Sequence, residues 1–228
     1  MRLDKYLTEC GLGSRSDVKK ILKNREIKVN KKIEFSPKIN VSTADEILYN
    51  DEIIEYKATR YYIMNKPAGY ITATEDKKHK TVMEIFPEWV IQKNLFPVGR
   101  LDKDTEGLLL FTNDGPISHE LLSPKKHVDK IYYVEAEKEI TDEDMKKLEL
   151  GVDIGGYITK PSKCERIDKD KINLTISEGR FHQVKKMLHS IDNSVFYLKR
   201  IKFANLELGD LEIGEVREIN VEEILWNF

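Results

Sequence analysis

The stretch GRLDKDTEGLLLFTNDG, Gly99 to Gly115, limits the fold more than any other part of the chain. A polar turn passes straight into the apolar run Leu108–Phe111, so it predicts a buried strand entered from a turn. Three acids, Asp102, Asp104 and Glu106, stand within five residues at the mouth of that strand. A carboxylate there loses hydration and needs a partner or a task. If the segment is extended, Asp102 and Asp104 share a face and could form an acid–base pair. Acids beside a turn ordinarily face solvent, and that is the reading for Asp104 and Glu106. Asp102 differs because it follows Gly99-Arg100-Leu101, which puts a cation two residues away and a glycine where backbone approaches closely.

The chain has 228 residues, enough for one large domain or a large and a small one. A hydrophobic content of 40% beside 34% charged residues fits a soluble globular protein. No segment approaches the roughly 20 apolar residues that cross a bilayer, so no membrane partner is expected. The start, MRLDKYL, has no long apolar region and predicts no signal peptide. Cys10 and Cys164 form no metal or redox spacing and read as buried thiols of a cytoplasmic protein. The five histidines show no ligand-like pairing, so no metal is expected. Residues 1–40 hold 11 Lys+Arg against 5 Asp+Glu, a net of +6, and the remaining 188 residues carry −8. A basic head on an acidic body suggests that the head meets a polyanion.

The head reads as a compact module. Leu3, Tyr6 and Leu7 have helical spacing, and Gly11 and Gly13 end that helix. Ser14 or Ser16 caps a second helix, with Val18, Ile21 and Leu22 on one face and Lys19, Lys20 and Lys23 on another. The stretch EIKVNKKI predicts a hairpin. Arg15, Lys19, Lys20, Lys23, Arg25 and Lys28 are the candidate contacts to the polyanion, and the competing reading is a solvated face. Residues 51–60 read as a linker. The expected domains are therefore 1–55 and 60–228.

In the second domain Ile131–Ala136 and Lys171–Ile176 alternate like strands. Thr141 caps a helix to Leu150, with Asp144 three residues on and Gly151 beyond its end. Pro116 opens a short helix through Leu122. RFHQVKKMLHSI predicts another, with Val184, Met187, Leu188 and Ile191 on one face. Strands outnumber helices without regular alternation, which predicts an α+β fold with a mainly antiparallel sheet.

The order helix, basic helix, hairpin resembles the S4 RNA-binding domain, on the residues MRLDKYL and GLGSRSDVKKILKNREIKVN. GRLDKDTEGLLLFTNDG resembles the G-R-L-D-x-x-T-x-G-L-L-L signature of the RsuA-like family of pseudouridine synthases, which modify ribosomal RNA. NKPAGY (Asn65–Tyr70), DKIYYVEAE, ISEGRFHQVKKML and LKRIKF (Leu198–Phe203) resemble further elements of that family, in its order. One departure is Ala204-Asn205, where the family commonly has a glycine-containing turn.

The resemblance implies a site and a substrate. Asp102 matches the catalytic aspartate. Tyr132 matches the tyrosine packed against the target base, and Arg180 the arginine paired with the aspartate. Arg100 matches the arginine thought to help expel the base. Lys185 and Lys186 read as phosphate contacts or as a solvated face, and Lys185 is carried as an RNA contact. The implied reaction oxidises nothing and transfers no outside group, so no cofactor is expected. The implied partner is ribosomal RNA or a partly assembled small subunit, met by a monomer. The S4 domain with no basic tail after EILWNF favours small-subunit (16S) RNA over large-subunit (23S) RNA. The alternatives are a 23S enzyme of the same family or a non-catalytic RNA-binding assembly factor.

Overall fold

A computed structural model describes residues 1–88, 90, 94–123 and 125–225. The chain divides into two compact units, Met1–Thr59 with Glu88–Lys93, and Arg60–Pro87 with Asn94–Phe228.

The first unit begins with helices α1 (Leu3–Glu9) and α2 (Arg15–Lys23). Four short strands follow: β1 (Ile27–Val29), β2 (Lys32–Ile33), β3 (Ile47–Tyr49) and β4 (Glu52–Ile53). They form a sheet in the order β2-β1-β3-β4, each pair antiparallel. Ser14 is the cap of α2. Its hydroxyl accepts from the Asp17 backbone N–H while the Asp17 carboxylate accepts from the Ser14 N–H, a closed capping box. Val18 and Leu22 then turn inward onto Leu3, Tyr6, Leu7, Ile27 and Ile47. The turns Asn30-Lys31 and Asn50-Asp51 have positive φ at both residues (50° and 68°, 51° and 69°). That conformation matches the twist of two-residue hairpins. The segment expected to be a linker is in part structural. β4 lies within it, and Ile54 and Tyr56 pack on the core of this unit. Its sparse turn residues reflect a short edge strand rather than a spacer. Cys10 is half-buried, not buried as expected, with its thiol 3.8 Å from the Glu55 carbonyl, whereas Cys164 is buried.

The second unit contains β5 (Tyr61–Lys66), β6 (Phe96–Val98), β7 (Glu106–Thr112), α3 (Gly115–Leu122), β8 (Lys130–Ala136), α4 (Asp142–Leu150) and β9 (Lys163–Asp168). It continues through β10 (Lys171–Ile176), α5 (Gln183–His189), β11 (Val195–Phe203), β12 (Leu206–Glu207), β13 (Val216–Ile219) and α6 (Val221–Leu225). The main path of its sheet is β13-β5-β7-β11-β8-β10-β9, with β12 on β11 and β6 on β7. Among the described residues β7 and β11 pair parallel and the other neighbours antiparallel. Tyr61, Ile63, Leu108, Leu110, Leu121 and Phe203 form much of the core on this sheet.

Gly107 makes the parallel junction possible. It pairs with Arg200 at a φ of 103°, and a Cβ there would stand 2.2 Å from the Arg200 carbonyl oxygen. Only glycine tolerates both the conformation and the approach. The chain therefore enters the sheet tightly, directly after the acid-rich loop. Ile191 lies beyond α5, which is closed by Ser190 and followed by Asp192 in a left-handed conformation. Ala204, the residue of the noted departure, takes a left-handed φ of 54°.

Candidate active site

Asp102 sits on the loop between β6 and β7, and the NKPAGY segment fastens that loop. Lys66, the last residue of β5, is fully buried. Its ammonium donates to the carbonyls of Pro67 (2.9 Å), Thr105 (2.8 Å) and Lys103 (3.3 Å). The Gly69 N–H donates to the same Lys103 carbonyl at 2.7 Å. The Thr72 hydroxyl donates to the Leu101 carbonyl (2.8 Å) and accepts from the Leu101 N–H (3.1 Å). Residues on either side of Asp102 are thus tied to one short segment, and the aspartate has little freedom to drift. Burial pushes the Lys66 ammonium down to about 8, against the opposing pull of Asp104, Glu106 and Asp102.

The Asp102 side chain is 28% exposed. Lys185 Nζ is 3.4 Å from one carboxylate oxygen and His182 Nε2 is 3.6 Å from the other. Lys185 also binds both oxygens of Asp104, at 2.6 and 2.8 Å. Burial works against the Asp104 charge, but the Lys185 ammonium outweighs it and holds the carboxyl below its ordinary range. Glu106 accepts a hydrogen bond from the Tyr197 hydroxyl at 2.6 Å. Asp104 is exposed, as expected, although Lys185 pairs with it, whereas Glu106 is half-buried and held by Tyr197.

The expected ion pair between Asp102 and Arg180 is not formed among the described residues. The Arg180 guanidinium lies 4.0 Å from the centre of the Tyr157 ring, and its hydrogen bond to Tyr157 raises its pKa. The local backbone accounts for this. The Arg180 N–H donates to Gln183 Oε1, and His182 enters α5 in the left-handed region at a φ of 53°. The chain reverses there, Arg180 goes to Tyr157, and Lys185 on the first turns of α5 meets Asp102. Arg180 and Asp102 still line one cleft of about 80 Å3, together with Arg100, Tyr132, Leu198 and Val184. Tyr132 is buried on β8, opposite Leu174 of β10 and Arg200 of β11. Arg100 is exposed. A roomier cavity of about 490 Å3 lies elsewhere, lined by Glu207, Arg217, Glu222 and Glu223. Its three carboxylates would repel a nucleic-acid backbone, so size does not mark the site.

On the first unit Arg15, Lys19, Lys20, Lys23 and Arg25 are exposed, and Lys28 is half-buried. Lys28 pairs with Asp51, and Lys20 stands 3.5 Å from Asp17. Sequence reasoning did not assign Lys66, Tyr157 or the Lys185–Asp102 contact. For Lys66 a signal existed: it closes a strand whose other residues are nearly all apolar, an unusual place for a solvated lysine. Among the described residues no three His, Cys, Asp or Glu side chains are grouped to hold a metal ion.

Residues 60–190 match the family model described as RNA pseudouridylate synthase. The chain belongs to the RNA pseudouridylate synthase family. Residues 1–47 of this synthase match the S4 domain. It is 44% identical to the uncharacterized RNA pseudouridine synthase YtzG of Bacillus subtilis, over 98% of this chain and 97% of that one. It is 39% identical to the ribosomal small subunit pseudouridine synthase A of Pasteurella multocida, over 98% of each. It is 35% identical to the ribosomal large subunit pseudouridine synthase B of Bacillus subtilis, over 98% and 93%. A crystal structure of a pseudouridylate synthase superposes with a TM-score of 0.69 at 36% identity, over 98% of both chains. The matched segment of the synthase contains Asp102, Tyr132, Arg180 and Lys185. Its cleft thus combines a fastened carboxylate, an ammonium beside it and an aromatic ring in an apolar wall.

Proposed function

We propose that this synthase isomerises a uridine of small-subunit (16S) ribosomal RNA. Two parts carry the work, an RNA-binding module in residues 1–55 and a catalytic α+β domain in residues 60–228. The observation that carries the reading is Asp102, tied by its loop, 3.4 Å from Lys185 in the cleft that Tyr132 also lines. Pseudouridine formation breaks the bond from ribose C1′ to the uracil N1. The base turns and rejoins through C5, the C5 proton leaves, and N1 takes up a proton, so that substrate and product are isomers. No atom is gained overall, so a charged side chain and a place for the turning base suffice. Asp102 supplies the carboxylate and Lys185 offsets its charge in a partly dry cleft. The Tyr132 ring receives the extruded uracil, and stacking offsets the few kcal/mol that unstacking costs. Arg100 lies at the exposed edge, where it helps draw the base out. Arg180 binds the strand at the cleft rather than holding the aspartate. Arg15, Lys19, Lys20, Lys23, Arg25 and Lys28 meet phosphates, and the chain acts as a monomer.

The small-subunit assignment is supported by full-length relatives of that name at 35–39% identity in Haemophilus influenzae, Pasteurella multocida, Yersinia pestis and Escherichia coli. Pseudouridine mapping of total ribosomal RNA from cells with and without the gene tests it. One 16S position should disappear with the gene. A missing 23S position would overturn the subunit assignment, and an unchanged map would overturn the reading as a whole.

A further inference from the structure

Next to the catalytic cleft lies a second hollow, of about 280 Å3, that the reaction chemistry leaves unused. The two share Gly179 and Arg180 in their walls. Lys130, Lys160 and Arg180 line this hollow against one carboxylate, that of Glu178. The Glu178 charge is already engaged. One oxygen accepts from the Lys160 N–H (3.0 Å) and the Gln183 amide (2.9 Å), and the other from the Tyr157 hydroxyl (2.8 Å). Lys130 is not engaged in the same way. It is 9% exposed, and its ammonium donates to the Val128 carbonyl at 2.8 Å. An ammonium has three N–H donors. Among the described residues no carboxylate stands within ion-pair distance of this one, and a second cation, Arg200, is close enough to disfavour its charge. Burial, with Arg200 adding to it, pushes Lys130 down to about 8 against the opposing pull of Asp129 and Glu178. The ammonium stands 5.5 Å over the Phe203 ring, and a buried cation with no carboxylate in direct contact is where an anion gains most. Ser123 and Ser177 line the same wall.

We propose that this hollow binds a backbone phosphate of the nucleotide next to the target uridine. The inference rests on the reading of Asp102 and Tyr132 as the uridine site. Arg180 belongs to both walls, so a strand whose uridine enters one hollow runs past Arg180 into the other. Lys130 then grips the phosphate from the inner side, and Lys160, whose ammonium stands 3.2 Å from His127 Nδ1, grips it from the open side. The contact holds the strand in register while the base turns, and it reads no sequence, since every nucleotide has a phosphate.

Nuclear magnetic resonance of the full chain with isotope-labelled lysine and tyrosine side chains tests this. The probes are uridine, uridine 3′,5′-bisphosphate and inorganic phosphate. The Lys130 signal is identified by its loss in Lys130→Arg, and by its loss in Lys130→Met if arginine disturbs the fold. We expect the bisphosphate and inorganic phosphate to shift the Lys130 signal saturably, and uridine to leave it in place. Lys160→Ala should weaken that response to the bisphosphate about tenfold or more, a change equal to about 1.4 kcal/mol. A Lys130 signal that both phosphate probes leave unmoved would overturn the proposal, as would an unaltered response in Lys160→Ala. The Tyr132 signal reports separately on the uridine site. If Tyr132 responds to uridine while Lys130 ignores phosphate, the reading of the cleft stands and the phosphate site falls. If Lys130 responds and Tyr132 does not, the reverse holds.

Discussion

Single substitutions separate the roles proposed for Tyr132, Lys185 and Arg180. Tyr132 offers a ring and a hydroxyl. Tyr132→Ala removes both and should weaken capture of the extruded base, since base–aromatic stacking is worth roughly 1–3 kcal/mol. Tyr132→Phe keeps the ring and should bind RNA like the parent. If the hydroxyl assists loss of the C5 proton, Phe should still lose turnover by about 10²-fold or more, the ordinary scale of a positioned acid–base group. We expect that loss in single-turnover assays, and a parental rate would leave the ring as a platform only. The two cations also part company. Lys185 stands 3.4 Å from Asp102, whereas Arg180 lies over Tyr157. Lys185→Met should therefore lower kcat by about 10²-fold, as loss of one preorganised charge partner commonly does. Arg180→Ala should act mainly on KM. The opposite split, measured on unmodified ribosomal RNA, would restore the arginine as the partner of the aspartate. The sequence made Asp102 legible, because glycine, arginine and the following apolar run isolate it. Its cation was not legible. Whether position 180 or 185 reaches the aspartate depends on the left-handed backbone at His182, and nothing in the residue types announces that turn.

Elements with strong local signals were read closely from the sequence, and those fixed by long-range contact were not. The Ser14 and Thr141 caps, the Pro116 start of α3 and the alternation along β10 are all local patterns, and each element stands where they put it. The parallel pairing of β7 with β11 joins residues far apart in the chain, and only Gly107 hints at it. The Lys66 cage is likewise a meeting of the end of β5 with the loop before β7. Lys66→Met removes a costly buried charge along with three carbonyl contacts, so the two effects on stability oppose each other. We expect the stability to change by less than about 2 kcal/mol. Activity should fall much further, by about 10²-fold, because a displacement of about 1 Å at the reacting group has that effect. Chemical denaturation and turnover measured on the same preparation check this. Parental activity in a folded Lys66→Met protein would mean that the loop holds Asp102 without the cage.

Across the whole molecule the charge is divided, with +6 in residues 1–40 and −8 in the rest. Under the proposed reading the basic head supplies non-specific RNA affinity and the body the chemistry. Replacing Lys19, Lys20 and Lys23 together by Gln leaves Val18 and Leu22 packed and removes three exposed charges. The log–log dependence of RNA affinity on salt should flatten by about 0.7 for each phosphate no longer neutralised, near 2 in total for single-stranded RNA. An unchanged slope would mean that the lysines are solvated and the catalytic unit holds the strand. The central claim lies in the other part, that one fastened carboxylate performs the isomerisation. It is tested most directly by Asp102→Asn, which keeps the size of the side chain and deletes its charge. Pseudouridine formed on unmodified ribosomal RNA is measured by nuclease digestion and chromatography, with a mobility assay on the same RNA. We expect undetectable product with RNA affinity close to the parent, and turnover within tenfold of the parent would contradict the role of Asp102.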